Sequence, residues 1–217
     1  MTTTFEYGDP AAAVVLIQPV DDHDLAFLEN EVALIKEMTD VKFRLLAVKV
    51  DSWNSALSPW QAPAVFGKDA FAGNADKTLE YILTLCSDTG KTYCIGGYSL
   101  AGLFALWAGC QTEVFRGVAA ASPSVWFPGF TDYLKDSKMK SKALYLSLGD
   151  KESKTRNPVM ASVGEKILET HRLLEAQGVP CTLEWNQGNH FKDADKRTAK
   201  AFAWVMERMI NQAKITE

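Results

Sequence analysis

The sequence has no apolar run long enough to cross a bilayer; the longest, Ala11 to Ile17, is far too short. The opening residues, Met1-Thr2-Thr3-Thr4-Phe5-Glu6, lack a basic segment followed by an apolar one, so no secretory signal is expected. Basic residues are not in excess. Lys and Arg number 23 against 27 Asp and Glu, a formal net charge of -4. That balance gives no electrostatic reason to expect nucleic acid or an anionic membrane as partner. Cysteine is sparse: Cys86, Cys94, Cys110 and Cys181 lack the spacing of a zinc site or a disulfide frame. They read as reduced thiols of a cytoplasmic protein. Histidine is sparser still, with 3 residues. His23 stands among Asp21, Asp22 and Asp24, but aspartates crowding one turn fit helix capping and solvation better than a metal site. No metal and no cofactor is expected. Repeats, low-complexity tracts and linkers are absent too, so residues 1–217 are expected to form a single domain.

What is present is an alternation of apolar runs and amphipathic stretches. Val14 to Val20, Phe43 to Val50, Tyr93 to Tyr98, Phe115 to Ser124, Ala143 to Leu148 and Thr182 to Trp185 read as strands, with a weak edge strand over Thr3-Phe5-Tyr7. Between them, Asp24 is the expected N-cap of a helix carrying Leu28, Val32 and Ile35. Asn74 or Asp76 caps another, which stops near Gly90. Asn157 and Pro158 open a long helix to Gly178, and a final one carries Ala201, Phe202, Val205, Met206 and Met209. Such alternation predicts an α/β fold, a mostly parallel sheet flanked by helices on both faces. Ser52 to Asn74 differs. It holds Trp53, Trp60, Phe66 and Phe71 broken by Pro59, Pro63, Gly67 and Gly73, and reads as an irregular aromatic loop walling a pocket.

The chain turns on Cys94-Ile95-Gly96-Gly97-Tyr98-Ser99-Leu100-Ala101-Gly102. An apolar strand runs into a helix with almost no loop, and Ser99 sits at the junction. Such a turn needs small neighbours and sets a serine at a helix N-terminus. The pattern is Gly-x-Ser-x-Ala, where glycine is more usual in the last place. Serine is a weak nucleophile without an adjacent base, and that base needs an acceptor. Asp150, Glu152 and His190 all follow predicted strand ends, where sites gather in parallel sheets. The order Ser, carboxylate, His is that of an α/β-hydrolase. Glu152 is the preferred acid, with Asp150 the alternative. An oxyanion hole would use the N–H of Leu100 and a second N–H after the first buried strand, from Val20 or Asp21, since Pro19 has none.

Gly-Gly-Tyr-Ser-Leu-Ala-Gly (96–102), Ala-Ser-Pro-Ser-Val-Trp-Phe (121–127) and Gly-Asn-His-Phe (188–191) together resemble the esterase family of α/β-hydrolases that includes esterase D-like, siderophore esterase-like and feruloyl esterase-like proteins. The resemblance implies a serine carboxylesterase acting on a small-molecule ester; the chain departs from the family in being short, with minimal or no cap domain expected. Ser99 would be the nucleophile, His190 the base and Glu152 or Asp150 the acid. It also implies that Ser124 and Trp126 border the substrate. Trp60, with Trp53, Phe66 and Trp185, is expected to add apolar surface for an aromatic or hydrophobic group. Acyl transfer, thioester cleavage and non-catalytic ligand binding stay open, as does a homodimer.

Overall fold

In the computed structural model, which describes residues 3–216 and side chains as far as residue 210, the apolar runs become strands of one sheet. The chain passes through β1 (Thr3–Gly8), β2 (Val14–Val20), α1 (Asp22–Met38) and β3 (Phe43–Lys49). Next come α2 (Trp53–Ala56), the short strands β4 (Gln61–Ala62) and β5 (Phe71–Ala72), and α3 (Ala75–Leu85). Then follow β6 (Thr92–Tyr98), α4 (Leu100–Gln111), β7 (Phe115–Ala121), α5 (Phe130–Asp136) and β8 (Ala143–Gly149). The chain continues with α6 (Pro158–Ala161), α7 (Val163–Ala176), β9 (Cys181–Asn186) and α8 (Ala194–Thr216).

The 7-stranded sheet has the order β1-β3-β2-β6-β7-β8-β9. β1 is antiparallel to β3, and every other neighbouring pair is parallel. The order reverses between β2 and β6, because the chain winds outward to β3 and then returns to the other side of β2. In parallel sheets such a reversal opens a crevice at the carboxyl ends of the strands.

β2 shows why the sheet is covered on both faces. Val15 and Ile17 join a core with α3, α4, α5 and α7, while Val14, Leu16 and Val20 join a second core with α1 and α8. Side chains alternate across a strand, so a strand buried on both faces is apolar nearly throughout, and in β2 Gln18 is the exception. Each such aliphatic side chain contributes about 1.5–3 kcal/mol through burial. α4 is buried all round, from Leu100 to Cys110. No helix among the described residues is long and apolar enough to cross a membrane.

Several local expectations need correction. The N-cap of α1 is Asp21, not Asp24. Asp24 sits three residues on and closes a capping box, with Asp24 N–H donating to Asp21 Oδ1 at 2.9 Å and Asp21 N–H donating to Asp24 Oδ2 at 3.3 Å. Asn74 occupies the N-cap position of α3, Asp76 lies in its first turn, and the helix ends at Leu85. The segment from Ser52 to Asn74 is not wholly irregular, since it contains α2 and the β4–β5 hairpin. The helix expected from Asn157 is divided. Asn157 Oδ1 accepts from Val159 and Met160 N–H to start α6, and α7 begins after Ser162. The helix α5 was not expected. Nothing in the described residues forms a separate cap domain.

Candidate active site

Ser99 occupies the one residue between β6 and α4. Its backbone has φ 56 and ψ -118, a left-handed conformation that costs a non-glycine residue roughly 1–3 kcal/mol. The sequence makes that turn feasible. A Cβ on Gly97 would lie 2.6 Å from the Ala101 Cβ, so position 97 requires glycine while position 101 accepts a methyl. The strain is held from both sides: Ser99 N–H donates to Ala121 O at 3.1 Å, and Ser99 O accepts from Ser124 N–H at 3.0 Å. Ser99 Oγ is thereby aimed away from the core.

His190 Nε2 lies 2.9 Å from Ser99 Oγ, and His190 Nδ1 lies 2.7 Å from Glu152 Oε2. Glu152 is thus the carboxylate against the imidazole, and Asp150 is not. Asp150 is exposed, and its Oδ1 accepts from Gly188 N–H at 2.7 Å. It ties down the loop that carries His190. Gly149 allows the chain to pass here, since a Cβ there would meet Gly188 O at 2.4 Å.

Glu152 is buried and fully engaged. Its Oε1 accepts from Gly149 N–H and Ser122 Oγ, each at 2.7 Å, and from Arg197 Nη1 at 2.9 Å. Burial pushes this carboxyl up, but the hydrogen bond and charge of His190 and the donors from Ser122 and Gly149 outweigh it. The carboxyl is held below its usual range, ionised against His190. The Arg197 side chain is 3% exposed and also donates to Tyr98 OH at 3.0 Å and to Gln187 O at 3.3 Å. The Tyr98 hydroxyl donates to His190 O at 2.7 Å, and its ring packs on the His190 ring with centroids 5.1 Å apart. Burial, then the Glu152 charge, pushes Tyr98 up to about 12, so it stays a donor at neutral pH.

Tyr98, Ser122 and Arg197 had no assigned role in the sequence. Arg197 follows Lys192-Asp193-Ala194-Asp195-Lys196, which reads as a solvated helix start. Ser122, like Ser99, has a left-handed backbone, φ 42, that no sequence pattern announces.

Ser124 is buried, with its Oγ 3.2 Å from Ser99 Oγ. Trp126 lines a cleft of about 220 Å³ beside His190 and Glu152, together with Met160, Val163 and Phe191. Lys151 and Lys154 stand on its rim. Trp60 is not on that wall. Its Nε1–H donates to Pro128 O at 2.9 Å and its ring packs on Phe127 and Tyr133, one layer behind. Phe66 backs Trp126 edge-on, Trp53 joins the core, and Trp185 is exposed on the edge strand β9.

Leu100 N–H begins α4, where the first amides have no acceptor within the helix. The Val20 amide is turned elsewhere. Val20 O accepts from Val50 N–H, and the N–H and C=O of one residue in a parallel strand face the same neighbour. The Val20 N–H therefore points toward β3, away from β6 and Ser99. Asp21 N–H, at the N-cap of α1, holds a long 3.3 Å capping bond to Asp24 Oδ2.

Of the remaining histidines, His23 packs against Phe27, and His171 Nδ1 lies 3.3 Å from Glu175. Among the described residues, no three His, Cys, Asp or Glu converge to hold a metal ion. All four cysteines are free thiols.

No family model matches this sequence, and no curated protein matches it. Solved structures do resemble it in fold. An IroE-like serine hydrolase from Shewanella oneidensis superposes with a TM-score of 0.71 at 14% identity, over 93% of this chain and 74% of that one. The siderophore hydrolase EstA from Aspergillus nidulans gives 0.65 at 16% identity, over 95% and 94%. The enterobactin esterase of Shigella flexneri gives 0.64 at 11% identity, over 95% of this chain and 55% of that one. Strand order, strand-end serine and these likenesses together establish that the chain has the α/β-hydrolase fold.

Proposed function

We propose that this protein is a serine carboxylesterase, a single catalytic domain that cleaves a small ester through an acyl-enzyme on Ser99. The observation that carries the reading is the continuous chain from Ser99 Oγ to His190 at 2.9 Å and on to Glu152 at 2.7 Å. In this reading His190 Nε2 takes the hydroxyl proton as Ser99 Oγ bonds to the ester carbon. Glu152 holds the tautomer that leaves Nε2 free and stabilises the imidazolium that forms. Arg197, Ser122 and Gly149 fix the Glu152 oxygen that His190 does not use.

The developing oxyanion is met by Leu100 N–H and, in place of Val20, by Asp21 N–H, which gives up its long capping bond. Each such donor accounts for roughly 100–1,000-fold in rate. His190 then returns the proton to the leaving alcohol, and water releases the acyl group by the same route in reverse. The names of the structural neighbours, serine hydrolase, siderophore hydrolase and enterobactin esterase, support ester cleavage. The apolar cleft at Trp126, Met160 and Val163 supports a hydrophobic or aromatic acyl or alcohol group. The free thiols support a reducing, cytoplasmic setting.

The test is turnover of p-nitrophenyl acetate and butyrate by wild type and His190→Ala, with product analysis in added methanol. Acid release that depends on His190 is expected. Methyl ester as the main product at low methanol would move the assignment to acyl transfer. No turnover of either ester by folded wild type would overturn it.

A further inference from the structure

A second cavity of about 230 Å³, which shares Phe191 with the Trp126 cleft, lies between α1 and the start of α8. Its floor is Gln18, from the end of β2, and Tyr98, from the end of β6. One wall is a stripe of α1, Asp24, Phe27 and Glu31. The other is Phe191, Asp193 and Asp195. Among the described residues no Lys or Arg lines it, and His23, also in its lining, packs edge-on against Phe27.

Two side chains here are out of place for a core. Gln18 interrupts an otherwise apolar strand and is 3% exposed; Glu31 interrupts the buried stripe of Leu28, Val32 and Ile35 and is 5% exposed. They share one long bond, Gln18 Nε2 to Glu31 Oε2 at 3.3 Å. That leaves Gln18 Oε1 and Glu31 Oε1 buried with no partner in the structure. Gln18 Oε1 is an acceptor, and Glu31 Oε1 is one when the carboxyl is ionised. A purely structural pair would close on itself, and buried acceptors left open carry a free-energy cost.

We infer that this cavity is a subsite for a protonated amine carried by the ester substrate. Once a rotation of either side chain turns its buried oxygen into the cavity, an alkylammonium supplies the N–H donors that Gln18 Oε1 and Glu31 Oε1 lack. Its charge is complemented by Asp24, Asp193 and Asp195, and its alkyl stem and positive head suit the rings of Phe27 and Phe191. A metal ion fits less well, because among the described residues no three acidic or imidazole groups converge. The volume suits a small headgroup and not a whole drug-sized ligand. Burial holds Glu31 well above the usual carboxyl range, and the charges of Asp24 and Asp195 push it the same way. Burial, then Asp21, pushes Asp24 up to about 6. Both shifts favour the neutral carboxyl, and a bound cation favours the ionised form. The inference rests on the esterase reading, since the cavity borders the His190–Phe191 segment.

The experiment compares p-nitrophenyl esters of glycine, β-alanine and 6-aminohexanoate with the propionate, butyrate and heptanoate that match them in shape. Each kcat/KM is divided by the hydroxide-catalysed rate of the same ester. For at least one chain length the amine ester should lead by about tenfold or more, the worth of one good charge-assisted hydrogen bond. Glu31→Gln and, as a second variant, Asp195→Asn should each pull that ratio toward one. In parallel, n-butylammonium chloride is titrated against the protein by NMR, with 1-butanol as the neutral control. Alkyl-ester turnover with no amine preference and no ammonium-specific shifts overturns the subsite and leaves the esterase intact. A preference unchanged in both variants overturns it as well. Ammonium-specific shifts that vanish in Glu31→Gln, with no ester turned over, uphold the cation site and overturn the esterase reading.

Discussion

The identity of the acid gives the sharpest prediction, because two carboxylates lie two residues apart and do different things. Glu152→Gln preserves side-chain size but removes the charge 2.7 Å from His190 Nδ1. The amide either points a donor at a donor or holds the imidazole in the tautomer that cannot take the Ser99 proton. In a serine protease the equivalent neutralisation of an aspartate costs roughly 10,000-fold in kcat, or about 5 kcal/mol at about 1.4 kcal/mol per tenfold. Here the same change also leaves the buried Arg197 guanidinium without its anion. Breaking a buried pair costs about 3–5 kcal/mol, against a total stability of about 5–15 kcal/mol. Kinetics are therefore read at low temperature, with near-UV circular dichroism confirming the fold. Asp150→Asn should do little: its amide oxygen can still accept from Gly188 N–H, and exposed substitutions shift energies by about 0.5 kcal/mol, or roughly twofold in rate. Stopped p-nitrophenyl acetate assays on both variants decide the matter. A loss above a thousandfold in Asp150→Asn, or more than a tenth of wild-type kcat in folded Glu152→Gln, would refute the reasoning.

Other outcomes follow from particular contacts. Ser99→Gly removes a non-glycine residue from φ 56 and should gain about 1 kcal/mol, raising Tm by about 2–4 °C while abolishing turnover; an unchanged or lower Tm counts against stored strain. Trp126→Ala should change the butyrate-to-acetate ratio of kcat/KM because Trp126 lines the cleft, whereas Trp60→Ala should lower Tm and leave the ratio alone. If both ratios move together, the layered placement of the two rings is wrong. Glu152 has a depressed folded-state pKa, so its contribution to stability is present above the ordinary glutamate value and lost as pH falls through the depressed one. Urea midpoints measured from pH 7 down past pH 4 should show that acid-side loss in wild type and less of it in Glu152→Gln.

The strands were readable because a parallel sheet buried on both faces needs largely apolar runs, and β2, β6 and β8 have them, broken only by single polar residues such as Gln18 and Ser147. Their alternation with amphipathic helices was enough for the fold class. Helix boundaries were harder. Asp21 and Asp24 are both good caps, and only the reciprocal bonds of the capping box assign the order. The N-cap of α5 is Gly129, left-handed and with no side chain to cap the first turn, so the helix carries no Ser, Thr, Asp or Asn start signal. The serine turn was legible from Gly97, Ser99 and Ala101, and the histidine from its strand-end loop. The supporting shell was not. Arg197 reaches Glu152 across 45 positions of sequence from a charged helix start, and a buried arginine there looks like any solvated one. The turn of the Val20 amide toward β3 is set by sheet register, which spacing alone does not reveal.

The account stands or falls on whether Ser99 is activated. Wild type, Ser99→Ala and His190→Ala are treated with a fluorophosphonate probe and read by intact mass, with peptide mapping of the adduct. The account predicts one adduct per wild-type chain, mapped to Ser99, none on Ser99→Ala, and labelling slowed by orders of magnitude on His190→Ala. Folded wild type that takes no label, or label that persists on Ser99→Ala, would contradict it.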